Sequence, residues 1–239
     1  MDIYQIPSVA DRIRGNSYVG RGIIAGRSKD GGHAVFAYFI MGRSENSRNR
    51  IFLEEGSDVV IHPFDAAKAG DPSLIIYSPV RTFGENVIVT NGNQTDTVYD
   101  FLAAGKSFEE ALNTRCFEPD APNFTPRISA VLQLKDSGFS YKMNILKSAD
   151  PEGSACVRMN FAYPALPGLG HFLHTYLCDG NPIPTFCGEP ERVAIPDSID
   201  ELTDEIWNNL DEQNKISLYV RYYDLSKGTY ESRMINKNR

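Results

Sequence analysis

What most constrains this chain is the order in which its β-patterned and helix-patterned segments follow one another. Residues 18–26, 33–41, 58–63, 74–77, 80–83 and 87–89 are rich in β-branched and aromatic side chains. Turn-forming runs at Ser28-Lys29-Asp30-Gly31-Gly32 and Gly84-Glu85-Asn86 divide two pairs of them. Two helices are expected next. The first starts near Thr95, where Val98, Phe101 and Leu102 recur at i, i+3 and i+4. The second starts at Ser107-Phe108-Glu109-Glu110, a capping box in which Ser107 and Glu110 satisfy backbone donors that a helix start leaves unpaired. Strand patterns return at 128–134, 139–146, 155–163 and 172–178, interrupted by Pro/Gly-rich stretches at 164–170 and 182–190. Ser198-Ile199-Asp200-Glu201 is a further capping box and opens a helix with Ile199, Leu202, Ile206 and Leu210 on one face. Strands at 216–223 and 229–235 close the order. Hairpin-length links favour antiparallel pairing, and helices gathered in two places favour an α+β architecture with helices covering sheets from outside.

The chain is long enough, at 239 residues, to bury one full core. We expect one domain over residues 18–239, preceded by a polar, irregular N-terminal extension over 1–17. Lys and Arg number 24 against 31 Asp and Glu, a net charge of −7. That balance argues against a nucleic-acid partner, yet a small phosphorylated ligand needs only a few local arginines. Met1-Asp2-Ile3-Tyr4 lacks the basic start of a signal peptide, and no apolar run reaches the roughly 18 residues of a membrane span. The expectation is a cytoplasmic protein with no membrane partner. Cys116, Cys156, Cys178 and Cys187 show no C-x-x-C spacing, so the thiols read as reduced and no metal site is expected.

Candidate functional residues gather around residues 91–97, Asn-Gly-Asn-Gln-Thr-Asp-Thr, where an apolar strand turns at Gly92 into a helix. Such a turn aims backbone N–H groups and the positive end of a helix dipole at one place. Read without context, it is an ordinary turn with Thr95 or Asp96 as a helix cap. Two other polar segments add chemistry. Residues 42–50 form a loop with Arg43, Arg48 and Arg50, which is either a solvated surface or a grip for phosphate oxygens. Pro119 and Pro122 force a second loop that delivers Asn123-Phe124-Thr125-Pro126-Arg127. Tyr77 ends an apolar run, and its default role is a core aromatic with its hydroxyl at the edge.

Four blocks in this order, Tyr18-Val19-Gly20-Arg21 with Gly26-Arg27, Arg48-Asn49-Arg50, residues 91–97 and residues 123–127, resemble the archaeal-type inosine monophosphate cyclohydrolase family. The resemblance is clear from about Tyr18 to Ile128 and weaker to about Phe186. It implies a four-layer α-β-β-α sandwich like that of the N-terminal-nucleophile hydrolases. It also implies ring closure of 5-formamidoimidazole-4-carboxamide ribotide: the carboxamide nitrogen attacks the formyl carbon and water leaves. Such a reaction needs a substrate held in its reactive conformer, donors for a developing oxyanion and a proton acceptor, with no cofactor and no metal. Carried onto this chain, the resemblance implies catalytic roles for Arg50, Tyr77, Asp96 and Asn123. It implies substrate binding by Arg21, Arg27, Asn91, Thr95 and Arg127, and a homo-oligomer. Phe124 lengthens the family's tighter Asn-Thr-Pro-Arg block by one residue, and the region after about Glu189 has no counterpart in the blocks.

Two rival readings accompany this one. An amidase of the N-terminal-nucleophile type would need cleavage before Ser17, since Met1-Asp2 offers no nucleophile. A purine-nucleotide sensor would keep the arginines without turnover.

Overall fold

A computed structural model describes residues 2–68, 77–135 and 138–238. Its first half runs α1 (Val9–Ile13), β1 (Arg21–Arg27), β2 (His33–Met41), α2 (Glu45–Arg48), β3 (Ile51–Glu55), β4 (Asp58–His62), β5 (Val80–Phe83), β6 (Asn86–Thr90), α3 (Gln94–Ala103) and α4 (Phe108–Asn113). The second half runs β7 (Arg127–Lys135), β8 (Gly138–Ser148), β9 (Cys156–Pro164), β10 (Leu169–His174), β11 (Glu191–Ala194), α5 (Ile199–Asn209), β12 (Lys215–Asp224) and β13 (Thr229–Asn236). The strands form two sheets, ordered β11-β10-β1-β2-β12-β13 and β3-β4-β5-β6-β7-β8-β9. Neighbouring strands in both sheets pair antiparallel, as hairpin-length links predict. The class is mixed α and β, built from two antiparallel sheets with few helices.

Side-chain alternation along β2 explains how the sheets are used. Ala34, Phe36, Tyr38 and Ile40 join a cluster with Phe52, Ile61, Val87, Ile128 and Met143 of the second sheet. Val35, Ala37, Phe39 and Met41, pointing the other way, join Val9, Ile13, Ile199, Leu202 and Ile206 of α1 and α5. A strand buried on both faces reads as an unbroken apolar run, and residues 33–41 do so. The outer face of the second sheet is covered in the same way, with Ile88, Val131 and Leu146 against Val98 of α3 and Phe108, Ala111 and Leu112 of α4.

Several local expectations hold. The Ser107 capping box forms, with both its hydrogen bonds in place. Ser198 caps α5, accepting from the Glu201 N–H, although the reciprocal bond is absent. Elsewhere the structure differs. The 42–50 loop contains α2, started by a Ser44–Ser47 capping box that has no apolar neighbour to advertise it. Strands β3 and β11 fall in segments without a strand reading: β3 has its last three residues exposed, and β11 has four residues among prolines. β10 begins at Leu169 and ends at His174, earlier than the apolar run suggested. Within the leading residues read as irregular, α1 buries Val9, Ala10 and Ile13. Of the strand expected over 74–77, residues 74–76 lie outside the described residues.

Candidate active site

Strand ends bring the expected residues together at one end of the two sheets. β1 begins at Arg21, β2 runs out into the loop holding Arg43, β3 begins just after Arg50, β6 ends before Asn91, and β7 begins at Arg127. Between these ends lies a cleft of about 410 Å³, within the size range of small-molecule sites. Arg21, Arg50, Tyr77, Asn91, Asn123 and Arg127 all line it, together with Tyr18, Arg43, Glu118, Asp120, Thr125 and Tyr176.

Its deepest feature is a pair of guanidiniums among phenols. Burial pushes Arg50 below its ordinary value, and the positive charge of Arg21 adds to that. Burial also works against the charge of Arg21, but Tyr18, Tyr77, Tyr38 and Tyr176 around it outweigh that effect and favour the cation. Among the described residues neither guanidinium forms a salt bridge. The Arg50 Nε is buried without a hydrogen-bond partner. The Tyr77 hydroxyl lies 3.1 Å from that of Tyr38, whose pKa burial and Tyr77 together push well above the ordinary value. Tyr77 thus lies at the cleft with its hydroxyl oriented by a partner that stays protonated. Two like charges held together out of water are costly unless an anion joins them.

Arg127 is arranged differently. Its Nη1 donates to Gln94 Oε1 at 2.7 Å and lies 2.9 Å from Glu118 Oε1. Burial pulls its pKa down while Glu118 opposes the shift. A Cβ at Gly92 would fall 2.5 Å from Arg127 Nη1 and 2.6 Å from Gln94 Oε1, so a larger residue there would have to displace this hydrogen-bonded pair. The N-terminus of α3 opens next to this guanidinium, and its N-cap Asn93 makes no side-chain bond to the helix backbone. Asn91 acts as a clamp: its Oδ1 accepts from the Ile128 N–H and from Gln94 Nε2, both at 2.9 Å, while its Nδ2 donates to the Pro126 carbonyl. The side chain expected to hold a ligand thus ties the end of β6 to the start of β7.

The 114–126 loop supplies the opposite wall. Asn123 Oδ1 accepts from the Ile183 N–H at 3.1 Å, and the side chain lines the cleft. Asp120 is engaged by the Thr125 N–H and hydroxyl, and Thr125 in turn meets the Tyr176 hydroxyl. Burial pushes Tyr176 up to about 12, with the Thr125 hydrogen bond opposing. Phe124 has φ of 43°, the one non-glycine residue in the left-handed region among the described residues. Its ring packs outside the cleft, edge-on to Phe117 with centroids 5.5 Å apart. The extra residue is thereby absorbed as an outward bulge, and Asn123 and Thr125 both still face inward.

Three expected residues stand elsewhere. Asp96 pairs with Arg81 at 2.9 Å on the solvent side of α3, more than half exposed. Thr95 is fully buried behind the turn, where its hydroxyl bonds Gly92 O and Thr90 Oγ1. Arg27 occupies the far end of β1, some 20 Å from Arg21 at about 3.3 Å per residue, and its Nε donates to Gly31 O in the hairpin. Sequence reasoning missed Tyr18, Glu118, Asp120 and Tyr176 as lining groups. A signal existed for Glu118 and Asp120, two carboxylates beside the prolines of a loop already singled out.

Fold and cleft together define a mixed α/β protein with a cleft lined by arginines, phenols and two carboxylates. Comparison narrows this further. A family model described as IMP cyclohydrolase-like protein matches residues 18–228, and the chain belongs to that family. The family expected from the four sequence blocks is the one found, and its match runs well past Glu189, beyond which the resemblance had no counterpart. The chain is 36% identical over 118 residues to an IMP cyclohydrolase of Methanopyrus kandleri, covering 48% of this chain and 58% of that one. It is 32% identical over 126 residues to one of Methanococcus maripaludis, covering 51% and 61%. With one of Methanococcus aeolicus it shares 28% over 165 residues, covering 67% and 75%. The chain thus spans about three-fifths of the length of the first two relatives.

Proposed function

We propose that this chain is an IMP cyclohydrolase, closing the six-membered ring of 5-formamidoimidazole-4-carboxamide ribotide to give inosine monophosphate and water. The observation that carries the reading is the Arg21–Arg50 pair beside Tyr77, in which the buried Arg50 Nε has no hydrogen-bond partner. Charge develops on the formyl oxygen as the carboxamide nitrogen attacks, and donors fixed in advance at that position lower the barrier. Arg50 and Tyr77 take this role, with Arg21 adding positive potential. Closure within one molecule gains most from confinement, which the walls of the cleft provide.

The carboxamide nitrogen on addition and the formamido nitrogen on dehydration each lose a proton, and the formyl oxygen gains the two with which it leaves as water. Asp96 stands outside the cleft and Asp120 is engaged by Thr125; Glu118 pairs with Arg127 in this structure and is assigned to accept the proton once the phosphate takes its place on that guanidinium. The 5′-phosphate is assigned to Arg127 and the N–H groups opening α3. Asn123 holds an amide edge of the substrate, and Asn91 supports the site by fixing the strand ends.

The two sheets with apolar clusters between them and on both outer faces support the finer reading of a four-layer α-β-β-α sandwich of the N-terminal-nucleophile hydrolase type. Residues 18–239 as one domain after an extension over 1–17, a cytoplasmic location and a homo-oligomeric state complete the proposal. Purified protein is given the formamido ribotide and product is followed by chromatography, with Arg50→Ala alongside. Inosine monophosphate formed by the wild type and lost in the variant supports the proposal. A wild type that binds inosine monophosphate without forming it from the ribotide would turn the reading to a nucleotide sensor.

A further inference from the structure

Gln94 is the first residue of α3 and has no exposed surface, although its amide carries two donors and an acceptor. The backbone decides which way that amide faces. The Ile128 N–H donates to Asn91 Oδ1, and Asn91 Nδ2 donates to the Pro126 carbonyl, so both ends of the Asn91 amide are assigned by main-chain partners. Gln94 Nε2 then donates to Asn91 Oδ1 at 2.9 Å and to Ile128 O at 3.3 Å. Its Oε1 is thereby left facing Arg127, whose Nη1 donates to it at 2.7 Å. Among the described residues the Arg127 Nε has no partner. Glu118, which also lies 2.9 Å from Nη1, stands on the 114–126 loop with 26% of its side chain exposed. One acceptor on this guanidinium is therefore locked in the interior, and the other is on a loop open to water.

We propose that Gln94 is a positioning residue for Arg127, a neutral acceptor that holds the guanidinium at the cleft without cancelling its charge. The inference rests on the assignment of the 5′-phosphate to Arg127. In that assignment Glu118 gives up the guanidinium to the phosphate, and Gln94 is the partner that stays. An arginine with no fixed acceptor would have rotamer freedom to lose when the anion arrives, a cost that an arginine already held in place avoids. A carboxylate at position 94 would hold the same Nη1 but would present the incoming anion with a neutral pair. The other bonds of Gln94 are duplicated. Without it, Asn91 Oδ1 keeps the Ile128 N–H, and Ile128 O keeps the Asn91 N–H at 3.2 Å. Once Glu118 has moved away, Arg127 is the one group among these that depends on Gln94.

The test compares inosine monophosphate with inosine, which lacks the phosphate, by calorimetry on the full-length protein. The wild type should bind the monophosphate more tightly. Gln94→Met, which keeps the length of the side chain, should shrink that preference about tenfold while inosine binds as before. KM for the formamido ribotide should rise by a similar factor, with kcat changed far less. Gln94→Glu, which keeps an acceptor but adds a charge, should shrink the preference as well. In an Arg127→Met background, Gln94→Met should change it no further. A preference kept in either Gln94 variant would overturn the inference, and so would equal losses for both ligands, as a merely structural residue would give. Those results leave the wild-type reaction standing. A wild type that forms inosine monophosphate but binds it no more tightly than inosine would remove the phosphate assignment, and this inference with it.

Discussion

Arg50, proposed to work on the substrate, and Arg221 are both buried arginines, and their surroundings differ in how fully each guanidinium is satisfied. Arg221, on β12, has no exposed surface, yet its donors all meet acceptors. Nε reaches the Tyr219 hydroxyl at 2.8 Å, Nη1 reaches Ser57 O and the Tyr223 hydroxyl at 2.9 Å each, and Nη2 also meets Tyr219. The Tyr230 ring covers its face at 4.1 Å, and Glu54 stands one hydroxyl away, 2.7 Å from Tyr219. Burial opposes its charge, but Tyr223 and Tyr219 outweigh burial and favour the cation. Arg50 has an orphaned Nε, a like charge for a neighbour and a lowered pKa. A fold that satisfies one buried guanidinium so fully has the means to satisfy the other. On the proposed function, Arg50 is left unfinished for a ligand to complete, as is Arg127 in the same cleft, whose Nε is also without a partner.

Arg50→Ala offers the strongest way to break this comparison. It should lower kcat about 10²–10³-fold, the usual cost of one oxyanion donor, while thermal unfolding shows no loss of stability. Arg221→Ala should do the reverse. Orphaning the Ser57 carbonyl and the tyrosine hydroxyls and leaving a cavity should cost about 3 kcal/mol in urea unfolding. An Arg221 variant of unchanged stability would remove the distinction.

His171 sharpens the structural side of the comparison. It accepts or donates at 2.7 Å to the Tyr141 hydroxyl and stacks on Tyr163 with centroids 3.6 Å apart. Burial, with Arg192 adding, pulls its pKa down to about 4. A histidine that must stay neutral in the fold contributes stability that is complete above its unfolded value, near 6.5, and is lost as the pH falls toward 4. Unfolding free energy should drop by about 2–3 kcal/mol across that window, and His171→Phe should flatten the slope.

Two smaller effects lie nearer the cleft. Phe124→Ala frees the bulged loop and should raise KM about tenfold with kcat changed far less, read in steady-state kinetics. Asp96→Asn, which touches only Arg81 at the surface, should alter kcat less than twofold and stability by about 0.5 kcal/mol or less. A large loss of kcat there would return Asp96 to the site.

The parts of this fold legible in the sequence were those whose signal is local. Ser107 and Glu110 state a helix start within four residues, and the run from His33 to Met41 states a strand covered on both faces. β3 was missed because Leu53, Glu54 and Glu55 face solvent, and α2 because Ser44–Ser47 caps a turn with nothing apolar to bury. The site was legible only through the ordered blocks. No periodicity says that Arg21 and Arg50 meet, since they come from strands of different sheets. Asp96 and Thr95 show the opposite limit: one step along a helix turns a side chain by about 100°, so adjacent residues face solvent and core. Arg27 fails for a similar reason, as seven residues of strand put its two ends on opposite sides of the molecule.

The cleft draws its walls from stretches of chain between Tyr18 and Ile183, on both sheets, with no fragment holding more than a corner of it. Affinity for an anion is therefore a property of the whole and of nothing smaller. A chain in which one sheet has formed and the other has not yet closed against it presents scattered arginines to water and binds no ligand selectively. On the proposed function, bound nucleotide would count finished molecules, and its heat of binding per mole of protein would measure how much of a preparation has reached the end of folding.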